Sequence, residues 1–216
     1  MPMMDEDTRK YVKELFSKEL EGDVNIMLFT DGDGKKCETC KYAVQLFSEL
    51  AELDGRLKIT AYDMAKKPKE AKFLGVEGVP AVVLGGKRIY NLYYFGVPSG
   101  HEFAALLDDI SDVSKNRTRL QESTKEKLKG IDKNINIKVF VTPTCPYCPG
   151  AVRMAHQFAI ENSRISGQMI EAMEFQDLAQ KFGVMGVPKI VINDSISFEG
   201  AVPEKVFLEK VLEAAK

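Results

Sequence analysis

The chain has no apolar run approaching the roughly 18 residues that a helix needs to cross a bilayer, so a membrane-spanning helix is not expected. Neither charge is in excess, since 30 Lys and Arg stand against 32 Asp and Glu with both signs interspersed. That balance leaves no electrostatic footprint for nucleic acid or for a membrane surface. The first residues, MPMMDEDTRKYVKELF, are acidic before they are apolar. They lack the basic start and apolar stretch of a signal peptide, so export is not expected and a cytoplasmic location is. With 44% hydrophobic and 29% charged residues, the composition is that of a folded protein and not of a disordered one. Tryptophan is absent, and cysteine occurs only four times.

Those four are Cys37, Cys40, Cys145 and Cys148, so no cysteine lies outside a Cys-x-x-Cys pair. In a cytosolic chain such pairs are metal ligands or redox-active dithiols more often than structural disulfides, and composition does not choose between the two. The separation of Cys37 from Cys145 is 108 residues, half of the 216-residue chain. FLGVEGVPAVV around Pro80 and KFGVMGVPKIV around Pro188 keep the same offset, each proline 40 residues after the second cysteine of its pair. The chain therefore reads as two copies of one unit, each long enough to bury its own core.

Each copy predicts the same series of elements. An opening helix, Asp5 to Leu20 or Arg119 to Lys129, leads to a branched apolar strand, VNIMLFT or IKVFVT. The cysteine pair then heads an amphipathic helix, YAVQLFSELAEL or AVRMAHQFAIEN, and a second strand and a short helix follow. The proline opens a hairpin that turns at Gly85 and Gly86 in one copy and at Asn193 and Asp194 in the other. A final helix closes each unit. The fold class this implies is α/β, two tandem domains each with a mixed sheet flanked by helices, over residues 1–117 and 118–216. The first cysteine pair follows DGDGKK where the second follows only PT, so the first motif is expected on a longer, more mobile loop.

A cysteine at a helix start faces unpaired N–H groups and the positive end of the helix dipole, which both favour the thiolate. Thiols in such places titrate at roughly 3.5 to 7.5 instead of near 8.5, which makes the first cysteine of each pair a candidate nucleophile. The second, less than a turn later, is placed to attack the mixed disulfide and release the partner. Pro146 and Tyr147 tune the second pair, Pro146 by rigidity and a missing N–H. Glu38 puts a negative charge beside the first pair, opposed by Lys35, Lys36 and Lys41. Of the four, Cys145 is expected to be the more reactive thiol. Val79-Pro80 and Val187-Pro188 would complete the sites, because a cis proline at a strand start exposes the preceding carbonyl and N–H to an extended substrate backbone. Asp63 and Glu171, each 17 residues before its proline, and the nearby Glu174 are candidate proton acceptors for the resolving thiols.

Cys-x-x-Cys on a helix after a strand, followed about 40 residues later by Val-Pro opening a hairpin, resembles the thioredoxin and glutaredoxin fold. In its doubled form, with VFVTPTCPYCPGAVRMAHQFAIEN, GVPKIVIN and YFGVPSGHEFAALLDDI, the chain is similar to the tandem-thioredoxin protein disulfide oxidoreductases of thermophilic microbes. The resemblance implies attacking roles for Cys37 and Cys145, resolving roles for Cys40 and Cys148, and cis bonds at Pro80 and Pro188. It also implies protein disulfide substrates, a thioredoxin reductase-like flavoprotein as electron donor, and no cofactor or metal of the chain's own. The Gly-Gly-Asp stretch that holds glutathione in glutaredoxins is missing, with ISFEGAVPEK at that place.

Two other readings remain open. The flavoprotein component of alkyl hydroperoxide reductase begins with a similar tandem module, so the chain could be a dedicated electron carrier to a peroxiredoxin. From another class, the two cysteine pairs could be zinc knuckles in a binding protein or chaperone.

Overall fold

The protein is described by a computed structural model covering residues 2–32 and 35–216. Asp33 and Gly34, part of the loop expected to be longer and more mobile, lie outside the described residues. The first series of elements is α1 (Glu6–Glu19), β1 (Val24–Thr30), α2 (Cys40–Leu53), β2 (Leu57–Asp63), α3 (Pro68–Phe73), β3 (Ala81–Gly85), β4 (Ile89–Phe95) and α4 (Glu102–Lys115). The second repeats it: α5 (Glu122–Lys129), β5 (Ile135–Val141), α6 (Cys148–Glu161), β6 (Ile165–Glu171), α7 (Gln176–Lys181), β7 (Lys189–Ile192), β8 (Ile196–Glu199) and α8 (Glu204–Ala214). None of the described helices is long and apolar enough to cross a membrane.

Local chemistry sets the element ends. Asp5 caps α1, its carboxylate accepting from the Thr8 N–H at 2.8 Å, and Glu6 and Asp7 follow where the helix dipole favours negative charge. The opening helix of the second unit starts later than its polar sequence predicts, at Glu122, because Arg119 is held outside it by a bond from its N–H to Gln157. The first hairpin turns at Gly86 to Arg88 and not at Gly85, which still belongs to β3. In the second, Asn193 and Asp194 both take positive φ, as a two-residue turn requires.

Among the described residues the eight strands form one sheet, in the order β2-β1-β3-β4-β6-β5-β7-β8. The expectation of a separate mixed sheet in each unit is thereby extended. β4 of the first unit pairs in parallel with β6 of the second, Leu92 to Phe95 against Gly167 to Ile170. The physical reason is that an edge strand leaves a row of N–H and C=O groups unpaired, and abutting two edges satisfies both. Apolar side chains on one face of the sheet are covered by the long helices, with Phe16, Phe47, Leu106, Leu128, Phe158 and Phe207 in one core. The short α3 and α7 cover the other face through Ala71 and Ala179.

Helices α4 and α6 join the units a second time. Buried Asp109 on α4 accepts from Arg153 and from the hydroxyl of Tyr94, and its Oδ2 lies 2.6 Å from His156 Nδ1. Arg153 also donates to Asp112. A buried charge is tolerated only when paired and hydrogen-bonded in this way. Gly167 lets α6 come close, since a Cβ there would lie 2.6 Å from the carbonyl oxygen of Ala155.

Candidate functional site

The four cysteines close as two disulfides, Cys37–Cys40 and Cys145–Cys148, with Cα atoms 5.4 and 5.5 Å apart. Both helices begin at the second cysteine, so each first cysteine sits just ahead of the first turn. There the Cys148 N–H points at Cys145 Sγ from 3.1 Å. Cys148 is fully buried, while Cys145 keeps 8% of its surface exposed.

Both Val79-Pro80 and Val187-Pro188 are cis. The carbonyl oxygen of Val187 lies 3.7 Å from Cys145 Sγ, which brings this strand start against the second pair. Between the cysteines, Glu38, Pro146 and Tyr147 are exposed, Tyr147 to 69%. The two pairs lie in separate units. Among the described residues, the one group of three or more metal-ligand side chains is Asp31, Cys37 and Cys40, and no group unites both pairs.

The carboxylates differ between the sites. Asp31, ahead of the first pair, accepts from the N–H groups of Lys36 at 2.7 Å and Cys37 at 3.0 Å. Asp63 ends β2 beside Thr30, partly exposed, and its ion pair with Lys66 at 2.9 Å holds its carboxyl below the usual range. Its counterpart Glu171 ends β6 beside Val141 and is buried, so that burial pushes its carboxyl up. Glu171 Oε2 accepts from the Glu174 N–H at 2.6 Å, and Glu174 Oε1 accepts from the Val97 N–H of the first unit at 2.7 Å. Glu171 Oε1 and Glu174 Oε2 are buried without a hydrogen-bond partner. Asp63 and Glu171 thus occupy matching strand ends in unlike surroundings.

A fifth carboxylate, which the sequence does not single out, is Glu102. It opens α4, is 1% exposed, and neither oxygen has a hydrogen-bond partner. Burial raises its carboxyl to about 8, so it is mostly protonated at neutral pH. Contacts between α4 and α6 run in step: the His101 N–H donates to Pro143 O at 3.0 Å, Asp109 meets Arg153, and the Arg119 N–H donates to Gln157 at 3.0 Å. The first turns of the two helices therefore lie side by side. Glu102, seven residues before Asp109, shares the face of α4 that turns toward α6, where the first turn holds Cys148. Gly100 permits the approach, with φ of +60° and the Pro143 oxygen 2.3 Å from where a Cβ would stand. In the sequence, Glu102 reads as an ordinary acidic residue at a helix start, where the helix dipole favours negative charge.

Known proteins share this arrangement. A thioredoxin-domain profile matches residues 24–108 and again residues 135–213. The crystal structure of a protein disulfide oxidoreductase from Aeropyrum pernix K1 superposes with a TM-score of 0.91 at 34% identity, covering 98% of this chain and 93% of that one. The alkyl hydroperoxide reductase protein AhpF of Staphylococcus epidermidis is 24% identical over 209 residues, 97% of this chain but only 38% of its own length. The N-terminal domain of AhpF from Enterococcus faecalis has this fold, with a TM-score of 0.88 at 23% identity, over 96% of this chain and 99% of that one. The chain belongs to the thioredoxin-domain family, in the tandem form of the protein disulfide oxidoreductases, and is a thiol-disulfide oxidoreductase.

Proposed function

We propose that the chain exchanges dithiols and disulfides with protein substrates, through two units over residues 1–117 and 118–216, with the Cys145–Cys148 pair as the substrate-facing site. The observation that carries this reading is the setting of Cys145: at a helix start, with the Cys148 N–H 3.1 Å from its sulfur and the Val187 carbonyl 3.7 Å away. In the reductive direction the Cys145 thiolate attacks one sulfur of a substrate disulfide. That forms a mixed disulfide and releases the other substrate sulfur as a thiolate. Cys148, as thiolate, then attacks Cys145 Sγ, closes the Cys145–Cys148 disulfide and releases the second substrate thiolate. Two electrons pass from the dithiol to the substrate, and its two sulfurs leave as thiols after protonation.

Cys148 is buried, so its proton needs a buried acceptor. The ionised form of Glu102, from the neighbouring unit and a minority at neutral pH, takes that proton during resolution. It returns the proton to the Cys148 sulfur when the pair is reduced again. Glu171 and Glu174, at the end of β6, remain alternative acceptors for the same step. Val187 and Pro188 offer backbone groups to the substrate chain, as Val79 and Pro80 do at the first site.

Electrons enter from a thioredoxin reductase-like flavoprotein, directly or by way of Cys37 and Cys40. A reductive role places the protein in the cytoplasm, where thiols are kept reduced. A second reading, a dedicated carrier that passes electrons to a peroxiredoxin, is favoured by the match to AhpF over 97% of this chain.

Equilibration in graded thiol-disulfide buffers, with alkylated cysteines mapped by mass spectrometry, tests the redox reading. Two reversible dithiols between about −270 and −120 mV are expected. Four thiols that never oxidise reversibly would overturn it. Relative rates with a generic protein disulfide and with a peroxiredoxin then separate the exchange catalyst from the carrier.

A further inference from the structure

At the first cysteine pair, a carboxylate oxygen of Asp31 and the sulfurs of Cys37 and Cys40 all lie within 4.8 Å of one another. Both cysteines are buried, and Asp31 is half-buried. The backbone fixes this carboxylate, since Asp31 Oδ2 accepts from the N–H groups of Lys36 and Cys37 at 2.7 and 3.0 Å. Asp31 opens the stretch DGDGKK, residues 31–36, whereas the PT that precedes Cys145 brings no carboxylate to the second pair. Dithiol-disulfide exchange gives Asp31 no part to play, because a negative charge beside Cys37 opposes the thiolate that exchange requires.

We propose that the first pair, once reduced, is a binding site for a thiophilic divalent cation of the zinc class, held by Cys37, Cys40 and Asp31. The inference rests on the Cys37–Cys40 disulfide opening, as the exchange reading above requires. In the disulfide the sulfurs are bonded to each other and carry no charge to offer a cation. Two electrons and two protons from a reductant convert the bond to two thiols. The arriving cation displaces both protons and bonds to two thiolates and one carboxylate. Zinc binds sulfur at about 2.3 Å and carboxylate oxygen at about 2.0–2.2 Å in a tetrahedron, which spaces its ligand atoms roughly 3.6–3.8 Å apart. Three atoms already within 4.8 Å can reach that spacing, and water fills the fourth place. The two N–H groups on Oδ2 orient the carboxylate before the cation arrives. Thiolate ligands select zinc or cadmium over magnesium and calcium. The carboxylate that opposes a bare thiolate thus stabilises the pair once a dication joins the three negative charges. Bound in this way, both thiolates are withheld from exchange. Oxidation by a disulfide moves two electrons from the thiolates to that disulfide, re-forms Cys37–Cys40 and releases the cation.

The test uses the full chain, reduced, freed of metal and reductant without air, and titrated with zinc against a chromophoric chelator. One tightly bound zinc per chain is expected, and cobalt in its place should show thiolate charge-transfer and tetrahedral visible bands. Cys145→Ser with Cys148→Ser should leave this binding intact, and Cys37→Ser with Cys40→Ser should abolish it. Asp31→Asn can still accept from the two N–H groups but loses the anionic ligand, and should weaken zinc at least tenfold. Zinc at ten times its Kd should shift the equilibrium of the first pair about tenfold toward the dithiol, leaving the second pair unmoved. The site is wrong if the reduced parent binds no zinc, if Asp31→Asn binds it as tightly, or if the second pair alone binds it equally well. If Cys37–Cys40 cannot be reduced at all, the exchange reading of the first pair fails and the site falls with it.

Discussion

The two cysteine pairs occupy matching places in a repeated unit, yet their surroundings have diverged. At the first, Asp31 bonds to the Cys37 N–H, and the carboxylate at the end of β2 is tied to Lys66 near the surface. At the second, Cys145 faces the Cys148 N–H, and buried carboxyls stand at the end of β6 and at the start of α4. A negative group beside a thiol opposes its ionisation, whereas a helix N-terminus promotes it. By that physical argument the first setting opposes thiolate formation and the second favours it. The second difference is one of dependence. Glu102 belongs to the first unit and opens α4, the helix that Asp109 and Asp112 tie to Arg153 of α6.

Removing sulfurs gives the largest contrast. Cys145→Ser should abolish turnover of protein disulfides, whereas Cys37→Ser should leave turnover intact with a chemical reductant and slow it only when a reductase supplies the electrons. Equal losses in a reductant-driven assay would erase the proposed division between the sites.

Glu102→Gln comes next. Loss of a positioned proton acceptor should slow closure of the Cys145–Cys148 disulfide about 10²-fold at pH 7, read by stopped-flow, without changing alkylation of Cys37. The same variant has a stability signature. Glu102 holds its proton up to about pH 8 in the folded chain, while its unfolded counterpart ionises near its ordinary 4.5. The group therefore favours folding below about 4.5, and that contribution is lost as pH rises toward about 8. Glu102→Gln does not titrate, so its melting temperature relative to the parent should climb across that window and level off above it. A flat difference would mean that Glu102 is not buried as a neutral acid.

A smaller effect is expected from Asp31→Asn. Taking a negative charge from beside Cys37 should lower the pKa of its thiol by about one unit, measured by alkylation rate against pH, while Cys145 is unchanged. Smallest of all is Asp63→Asn, which breaks a pair whose Lys66 side chain is 82% exposed and should leave the melting temperature within experimental scatter.

Much of this was legible in order of residues. The 108-residue offset exposed the duplication, and the alternation of apolar strands and amphipathic helices marked the element series that each unit follows. Cys-x-x-Cys at a helix start and Val-Pro at a strand start are local signals, because thiol, helix end and proline lie within a few residues of one another. The match between Asp63 and Glu171 was legible too, but not their difference. Asp63 meets Lys66 three residues away, whereas Glu171 is enclosed by Gly96 and Glu174, where first and second units touch.

By itself, then, the sequence determined two α/β units, each with a dithiol at a helix start and a proline to face it. Only the tertiary structure decided that β4 and β6 fuse the units into one sheet, and that α4 lies along α6 with Glu102 buried at its first turn. The reason is physical: propensity, periodicity and capping act over a few residues. Desolvation of a carboxyl depends instead on which distant surface covers it, and that surface is supplied here by the other copy of the fold.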